Sequence, residues 1–269
     1  VDMYAKALEV DAHHRPAIEA AIRAQALEAD WDSVIQLKKR LIDQAEPDEK
    51  FRLWTEIGDL SAEKLDHRSN AVGAYREALK LRRDDHVVLH KLLALYQRGG
   101  HWKEAAETIS SILDVVKDSA QRSKYFYAIA AIWRDELDQP DQALPYFDRA
   151  LDEDPENLKA FEAIDKILTA KKDWKTLERE YRKMLKRVAG QGKTDVEVNL
   201  WHFLGEIYRT RLGQIEPAVD AFQMASRLDP ENLERRKILA ELLERLPGRF
   251  QEATRQHRFL ISKDPLRID

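Results

Sequence analysis

The feature that most limits what this chain can fold into is a pattern that returns. Three segments align: Arg52-Leu-Trp-Thr-Glu-Ile-Gly-Asp, Lys124-Tyr-Phe-Tyr-Ala-Ile-Ala-Ala and Asn199-Leu-Trp-His-Phe-Leu-Gly-Glu. Each is followed, at one offset, by a small–aromatic–small triplet: Ala71/Tyr75/Ala78, Ala143/Phe147/Ala150 and Ala218/Phe222/Ala225. Equivalent alanines lie 72 and 75 residues apart. Between them runs a second kind of segment, marked by Trp31, Trp102, Trp174 and Phe250 at steps of 71, 72 and 76 residues. A period near 73 that splits into two alternating halves means one supersecondary element every 34 to 38 residues. That is a tandem array, in which each element completes its core only against its neighbours.

Each half-period carries two stretches with apolar residues at i, i+3, i+4 and i+7, the pattern of amphipathic helices. Trp201, Leu204, Gly205 and Tyr208 share one face of a first helix, and Ala218, Phe222 and Ala225 share one face of a second. The small residues let two helices approach, and the aromatic between them fills the remaining volume. Asp154-Pro155-Glu156-Asn157 and Asp229-Pro230-Glu231-Asn232 punctuate successive hairpins, since proline cannot continue a helix and Asp or Asn caps the next. Gly and Pro together number 18 of 269 residues, about 7% against roughly 12% in average usage. This leaves few turn formers for an all-β fold, and no alternating strand pattern of useful length is present.

The expected organisation is residues 1–12 as the second helix of a truncated repeat, with Tyr4, Ala7 and Leu8 matching Tyr75, Ala78 and Leu79. Seven hairpins follow at about 13–50, 51–85, 86–119, 120–155, 156–196, 197–230 and 231–269. The stretch Ala189–Thr194 alone has linker composition. With a start inside a hairpin and an end at the Asp264-Pro265 junction, the chain reads as a slice of a longer array.

Zero cysteines exclude disulfides, thiolate metal sites and a cysteine nucleophile. Their absence, with no targeting or transmembrane segment in the slice, favours a cytoplasmic location without fixing one. The longest apolar run, Tyr125 to Trp133, is nine residues, far below the ~18 needed to cross a bilayer. A net charge of −4 with mixed signs counts against nucleic acid, which helical repeats bind through a basic stripe. No basic amphipathic face marks a membrane surface site. His86 and His90 stand at i, i+4, yet no third metal ligand accompanies them, and they read as solvated or hydrogen-bonded histidines. His257 falls at a core-facing position and reads as a buried, satisfied imidazole. Gly99-Gly100 is an isolated turn pair, not a phosphate loop. No convergent reactive set is visible, so the expectation is a chain without catalysis, cofactor or metal.

These residues resemble the tetratricopeptide repeat (TPR) family, whose pattern is an aromatic, Leu-Gly and Tyr on the first helix, then Ala-x3-Phe-x2-Ala and a closing Pro. Trp201, Leu204, Gly205, Tyr208, Ala218, Phe222, Ala225 and Pro230 match it with one extra residue in the turn. Trp54, Ile57, Gly58, Ala71, Tyr75 and Ala78 match with Ser61 for the tyrosine and Arg83 for the proline. Phe126, Ile129, Ala130, Trp133, Ala143, Phe147, Ala150 and Pro155 make a third match. Around Leu89, Leu92, Tyr96, Trp102, Ala105 and Ile109 the shape survives with bulkier residues, and hairpins around Trp31, Trp174 and Phe250 are weaker. The resemblance implies an all-α solenoid, a right-handed superhelix of antiparallel helical hairpins whose first helices line a concave groove.

The resemblance also implies a function: a protein–protein interaction scaffold or adaptor holding a partner segment in that groove. Groove positions of the middle three hairpins include His90, Arg98, Lys124, Tyr127, Arg134, Lys159 and Lys166. Their fifteen positions hold five basic and two acidic residues, a net of +3 within a chain of −4, which would favour an acidic segment. The carboxylate clamp of chaperone-binding members needs an Asn where this chain has Arg23, Asp59, Ala94, Ala131, Lys166, Glu206 and Glu241. The alternatives are a structural or self-associating array, or the regulatory arm of an enzyme encoded beyond the slice.

Overall fold

The computed structural model describes residues 9–263, so the expected half-repeat around Tyr4, Ala7 and Leu8 and the Asp264-Pro265 junction lie outside the described residues. Among the described residues there are fourteen long α-helices and no strand. In chain order they are α1 Arg15–Leu27, α2 Trp31–Gln44, α3 Pro47–Glu63, α4 Arg68–Leu81, α5 His86–Gly99, α6 Trp102–Val115 and α7 Ser119–Ala131. Next come α8 Pro140–Glu153, α9 Leu158–Lys171, α10 Trp174–Val188, α11 Thr194–Glu206, α12 Ile215–Leu228, α13 Leu233–Glu244 and α14 Phe250–Lys263. Two compact units divide the chain, Val1–Gln121 and Arg122–Asp269. Within the first, each of α1 to α6 packs on the next; within the second, α8 to α14 do the same.

The repeat alanines show why the pattern exists. Ala71, Ala78, Ala143, Ala150, Ala218 and Ala225 are all 0% exposed, and Tyr75, Phe147 and Phe222 between them are at most 2% exposed. Facing each aromatic on the first helix is a small residue. An added Cβ on Gly58 would sit 2.3 Å from Tyr75 Cε1, and one on Gly205 would sit 2.8 Å from Phe222 Cε2. The third hairpin carries Ala130 there, also 0% exposed. Of the first-helix aromatics, Phe126 is buried while Trp54 and Trp201 are half-buried; Trp54 packs on a cluster that includes Ile18, Ile42, Leu53 and Ile57.

Two kinds of turn alternate through the hairpins from α1 to α12, matching the two kinds of repeat. In the three regular hairpins the turn closes six residues back: His67 N–H to Ser61 C=O (2.7 Å), Gln139 to Trp133 (2.8 Å) and Gln214 to Tyr208 (2.9 Å). Three alternate hairpins close five back: Asp30 to Gln25 (3.0 Å), His101 to Tyr96 (2.9 Å) and Asp173 to Leu168 (3.0 Å). The extra residue is absorbed by widening the helix end: α7 runs into a π-turn at Ile132–Glu136 and α11 into one at Ile207–Leu212. Each turn passes through one left-handed residue, Asp66, Asp138 and Gly213 in the wide kind and Ala29, Gly100 and Lys172 in the tight kind.

Some expected boundaries fall inside helices. Residue 50/51 lies within α3, because Pro47 occupies the first helical turn, where its fixed φ suits a helix and its missing N–H costs nothing. Residue 196/197 lies within α11, which starts at Thr194 directly after the Gly190–Gly192 turn. Asn232 caps α13 through Arg235 N–H at 2.9 Å, as its position beside proline implies. Asn157 instead donates to Ser123 Oγ (3.0 Å), which itself donates to Ala150 C=O (2.8 Å).

Candidate functional site

A hollow in the second unit lies between α9, α10 and α11. It measures about 720 Å3, inside the ~300–1,000 Å3 range of ligand sites. It forms where two hairpins meet: α9 and α10 make one hairpin and α11 opens the next. Buried Phe161, Leu177, Leu200 and Ile207 make the floor. Leu158 (41% exposed) and Phe203 (52% exposed) line the mouth. Trp174 closes one side with the Arg211 guanidinium 4.8 Å above its ring. Tyr181, buried beneath, stacks edge-on to Phe161 at 4.9 Å and donates its hydroxyl to Asp165 Oδ1 at 2.9 Å. Burial, then the Asp165 charge, holds the Tyr181 hydroxyl far above its ordinary pKa, so it stays a donor.

The polar rim comes from one face of each first helix. On α9 it is Glu162, Asp165, Lys166 and Thr169; on α11 it is Asn199 and Glu206, with Thr210 in the π-turn. Glu206 is already held by Arg209 at 2.8 and 3.0 Å, and Thr210 Oγ1 donates to Glu206 C=O at 2.7 Å.

The expected groove residues are distributed over both units. His90 and Arg98 belong to the first, the other five to the second. His90 is half-buried on α5 with its Nε2 3.3 Å from that of His86. Burial, then the neighbouring His86, holds its pKa below the ordinary imidazole range, so it adds no charge near neutrality. Arg98 is exposed, and its carbonyl accepts from Arg68 at 3.3 Å. In the second unit Lys124, Lys159 and Lys166 are exposed and make no ion pair among the described residues. Arg134 is different: it is locked to Asp135 by two bonds of 2.7 Å and lies 5.3 Å over the Phe147 ring. Its charge is neutralised by the next residue. Tyr127 is half-buried, edge-on to Phe147 at 5.4 Å. Of the seven, Lys166 alone lines the cleft.

The apolar mouth at Phe203, Trp174 and Leu158 lies outside the expected groove residues. The signal was present in Leu200-Trp201-His202-Phe203-Leu204, where apolar residues run round the helix instead of keeping to one face. His257 differs from its expected burial: it is half-exposed, with Nε2 2.8 Å from Glu244 Oε1. Among the described residues no three His, Asp or Glu side chains are placed to hold a metal ion, and no helix is long and apolar enough to cross a membrane.

Residues 198–232, which hold most of α11 and all of α12, match the family model of the tetratricopeptide repeat. Among solved structures the chain is similar to a tetratricopeptide repeat protein from Parabacteroides merdae ATCC 43184, at 15% identity over 84% of this chain and 96% of that one, TM-score 0.38. It is also similar to YrrB, a TPR protein with an unusual peptide-binding site, at 17% identity over 74% and 95%, TM-score 0.35. A third similar structure is Naa15/Naa10 bound to HypK-THB, at 15% identity over 98% of this chain and 39% of that one, TM-score 0.48. No curated protein matches it in sequence.

Proposed function

We propose that this chain, a protein built of tetratricopeptide repeats, is a non-catalytic interaction scaffold that binds a segment of another protein along its first helices. The observation that carries the reading is the α9–α11 cleft, where the fold leaves Phe203 and Leu158 in water although buried positions lie beside them. Large apolar side chains at the mouth of a hollow of this size are the usual mark of a binding surface. Lys124, Lys159 and Lys166 extend the surface with cations that have no partner carboxylate among the described residues, which suits an acidic stretch in the partner.

The test uses a displayed library of random peptides selected on the full chain, then measured as labelled peptides by fluorescence anisotropy. Lys124→Glu with Lys159→Glu is expected to weaken the selected peptides at least 10-fold. The matched reversal Lys175→Glu with Arg179→Glu on α10 is expected to leave them unchanged. Equal loss in both pairs, or a library that enriches no peptide, refutes the reading.

A further inference from the structure

We infer that a second site, built on α12, α13 and α14, binds a tetrahedral oxyanion of the phosphate type. It shares no residue with the α9–α11 cleft and does not depend on what binds there. A hollow of about 300 Å3 is lined by Gln223, Ser226 and Arg227 of α12, Arg236 of α13 and Gln256 of α14. No Asp or Glu lines it among the described residues, so its two guanidiniums stand at +2 within a chain of −4. Of the acids beside it, Asp229 is paired with Arg235 (3.1 Å), Glu231 with Lys263 (2.8 Å) and Glu252 with Arg249 (2.7 Å). Glu234 is engaged as well, and Asp220, one turn before Gln223, stays outside the lining in the field of Arg249.

Two features distinguish this hollow from a bare basic surface. Ser226 is only 6% exposed, and its Oγ has no hydrogen-bond partner among the described residues. A buried hydroxyl left unpaired costs free energy that alanine at the same place would avoid. An anion oxygen in the hollow gives that O–H its acceptor. Arg236, for its part, is already held in place. Its Nε donates to Pro230 C=O at 2.8 Å, one Nη donates to Gln256 Oε1 at 2.9 Å, and the guanidinium lies 3.8 Å over the Phe259 ring. Two of its five N–H donors are used; the other three belong to a side chain that has little freedom left to lose on binding. Gln256 keeps its amide N–H groups, since its oxygen is the atom bonded to Arg236. Arg227 makes no ion pair among the described residues, only a 3.7 Å contact to Met224 sulfur. A carboxylate has two coplanar oxygens, which one guanidinium fork satisfies. Donors arriving from three helices suit four oxygens set in a tetrahedron. Free phosphate and a phosphorylated side chain of a partner present the same group to these donors.

The probe is inorganic phosphate, titrated into the full chain at pH 7.5 and constant ionic strength and followed by phosphorus NMR. Saturable binding at one site is expected, with acetate at least 10-fold weaker. Arg227→Gln is expected to lower phosphate affinity at least 10-fold, the loss of a charge-assisted bond, and Ser226→Ala about 5-fold. Arg258→Gln, on α14 but outside the hollow, is expected to change nothing. Ser226→Ala also carries a signature that a purely structural serine lacks. Without phosphate its urea midpoint is expected to rise, because the unpaired hydroxyl is gone, while added phosphate stabilises it less than the parent. A phosphoserine tripeptide flanked by glycines that binds at least 10-fold tighter than inorganic phosphate assigns the group to a partner, and one that binds no tighter assigns it to free phosphate. Binding of neither probe, equal affinity for acetate, or Arg227→Gln within twofold of the parent overturns the inference. A lowered urea midpoint in Ser226→Ala overturns it too, since the hydroxyl would then have a partner within the fold.

Discussion

Placing a methyl group where two repeat glycines face their aromatics tests the packing logic of the array directly. At Gly58 the new Cβ meets Tyr75 ring atoms at 2.3, 2.5 and 2.9 Å, and at Gly205 it meets Phe222 ring atoms at 2.8, 2.9 and 3.0 Å. Comfortable carbon–carbon contact begins near 3.5 Å, so the shortfalls are about 1.2 and 0.7 Å. Neither ring has room to retreat: Phe222 is 0% exposed and Tyr75 2%, and the Tyr75 hydroxyl is tied to Asp59 at 2.7 Å. Overpacking of this sort costs about 1–3 kcal/mol, while Gly→Ala in a helix interior returns about 1 kcal/mol. Gly58→Ala is therefore expected to lose about 2 kcal/mol and Gly205→Ala about 1. Gly73 on α4 supplies the control, since its added Cβ meets nothing within 4 Å. Gly73→Ala keeps the helix gain and is expected to stabilise by about 0.5–1 kcal/mol. Urea midpoints followed by circular dichroism order the four proteins as Gly73→Ala, parent, Gly205→Ala, Gly58→Ala. A Gly58→Ala protein as stable as the parent would refute the claim that close helix approach fixes these positions.

Two further outcomes follow from buried polar groups. Tyr181→Phe strips Asp165 of its hydroxyl donor, whereas Tyr75→Phe leaves Asp59 with Lys91 at 2.6 Å; the first is expected to cost about 1–2 kcal/mol and the second less, and equal midpoint shifts would contradict the assignment. His202, half-buried against Phe203 and Phe222, has its pKa lowered by burial and then by Arg235. A lowered imidazole pKa means the folded state binds the proton less well than the unfolded one. Stability is therefore unaffected above the unfolded pKa near 6.5 and falls as pH drops through the folded value. The drop in urea midpoint between pH 7.5 and 5 should shrink in His202→Gln, and an unchanged slope would remove His202 from the account.

Helix content and the core were written plainly because repeats give the same message several times: six alanines at one spacing all end at zero exposure. The alternation of turns was also legible in part, as one extra residue before Ala218. What local pattern missed was anything set by the next residue or the next helix. Arg134 counts as a free cation in a list of positions, yet Asp135 beside it on the widened π-turn takes its charge. His257 holds a core position by register but pairs outward with Glu244. The cleft is not legible locally because its walls come from two hairpins and its signal is apolar exposure, not charge.

The tight turns allow a reciprocal test of that alternation. Gly100 and Lys172 occupy equivalent places, with φ of 69° and 57°, after helices that close by the same five-residue bond. The left-handed conformation costs an ordinary L-residue about 1–2 kcal/mol and glycine almost nothing. Glycine returns about 0.4–1 kcal/mol of that through the freedom it adds to the unfolded chain. Lys172→Gly is thus expected to stabilise by about 0.5–1 kcal/mol, with its exposed side chain giving up no ion pair among the described residues. Gly100→Ala is expected to lose a similar amount for strain alone, since its added Cβ has only Trp102 Nε1 within 4 Å, at 3.9 Å. Asp66→Gly in a wide turn is the third arm: Asp tolerates the left-handed region better than Lys, so its gain is expected to be smaller than that of Lys172→Gly. Because the changes lie in turns and leave the helix faces intact, they shift urea midpoints without altering the helical spectrum. A destabilised Lys172→Gly would mean that the lysine earns its place through a contact, and the equivalence of the two tight turns would fail.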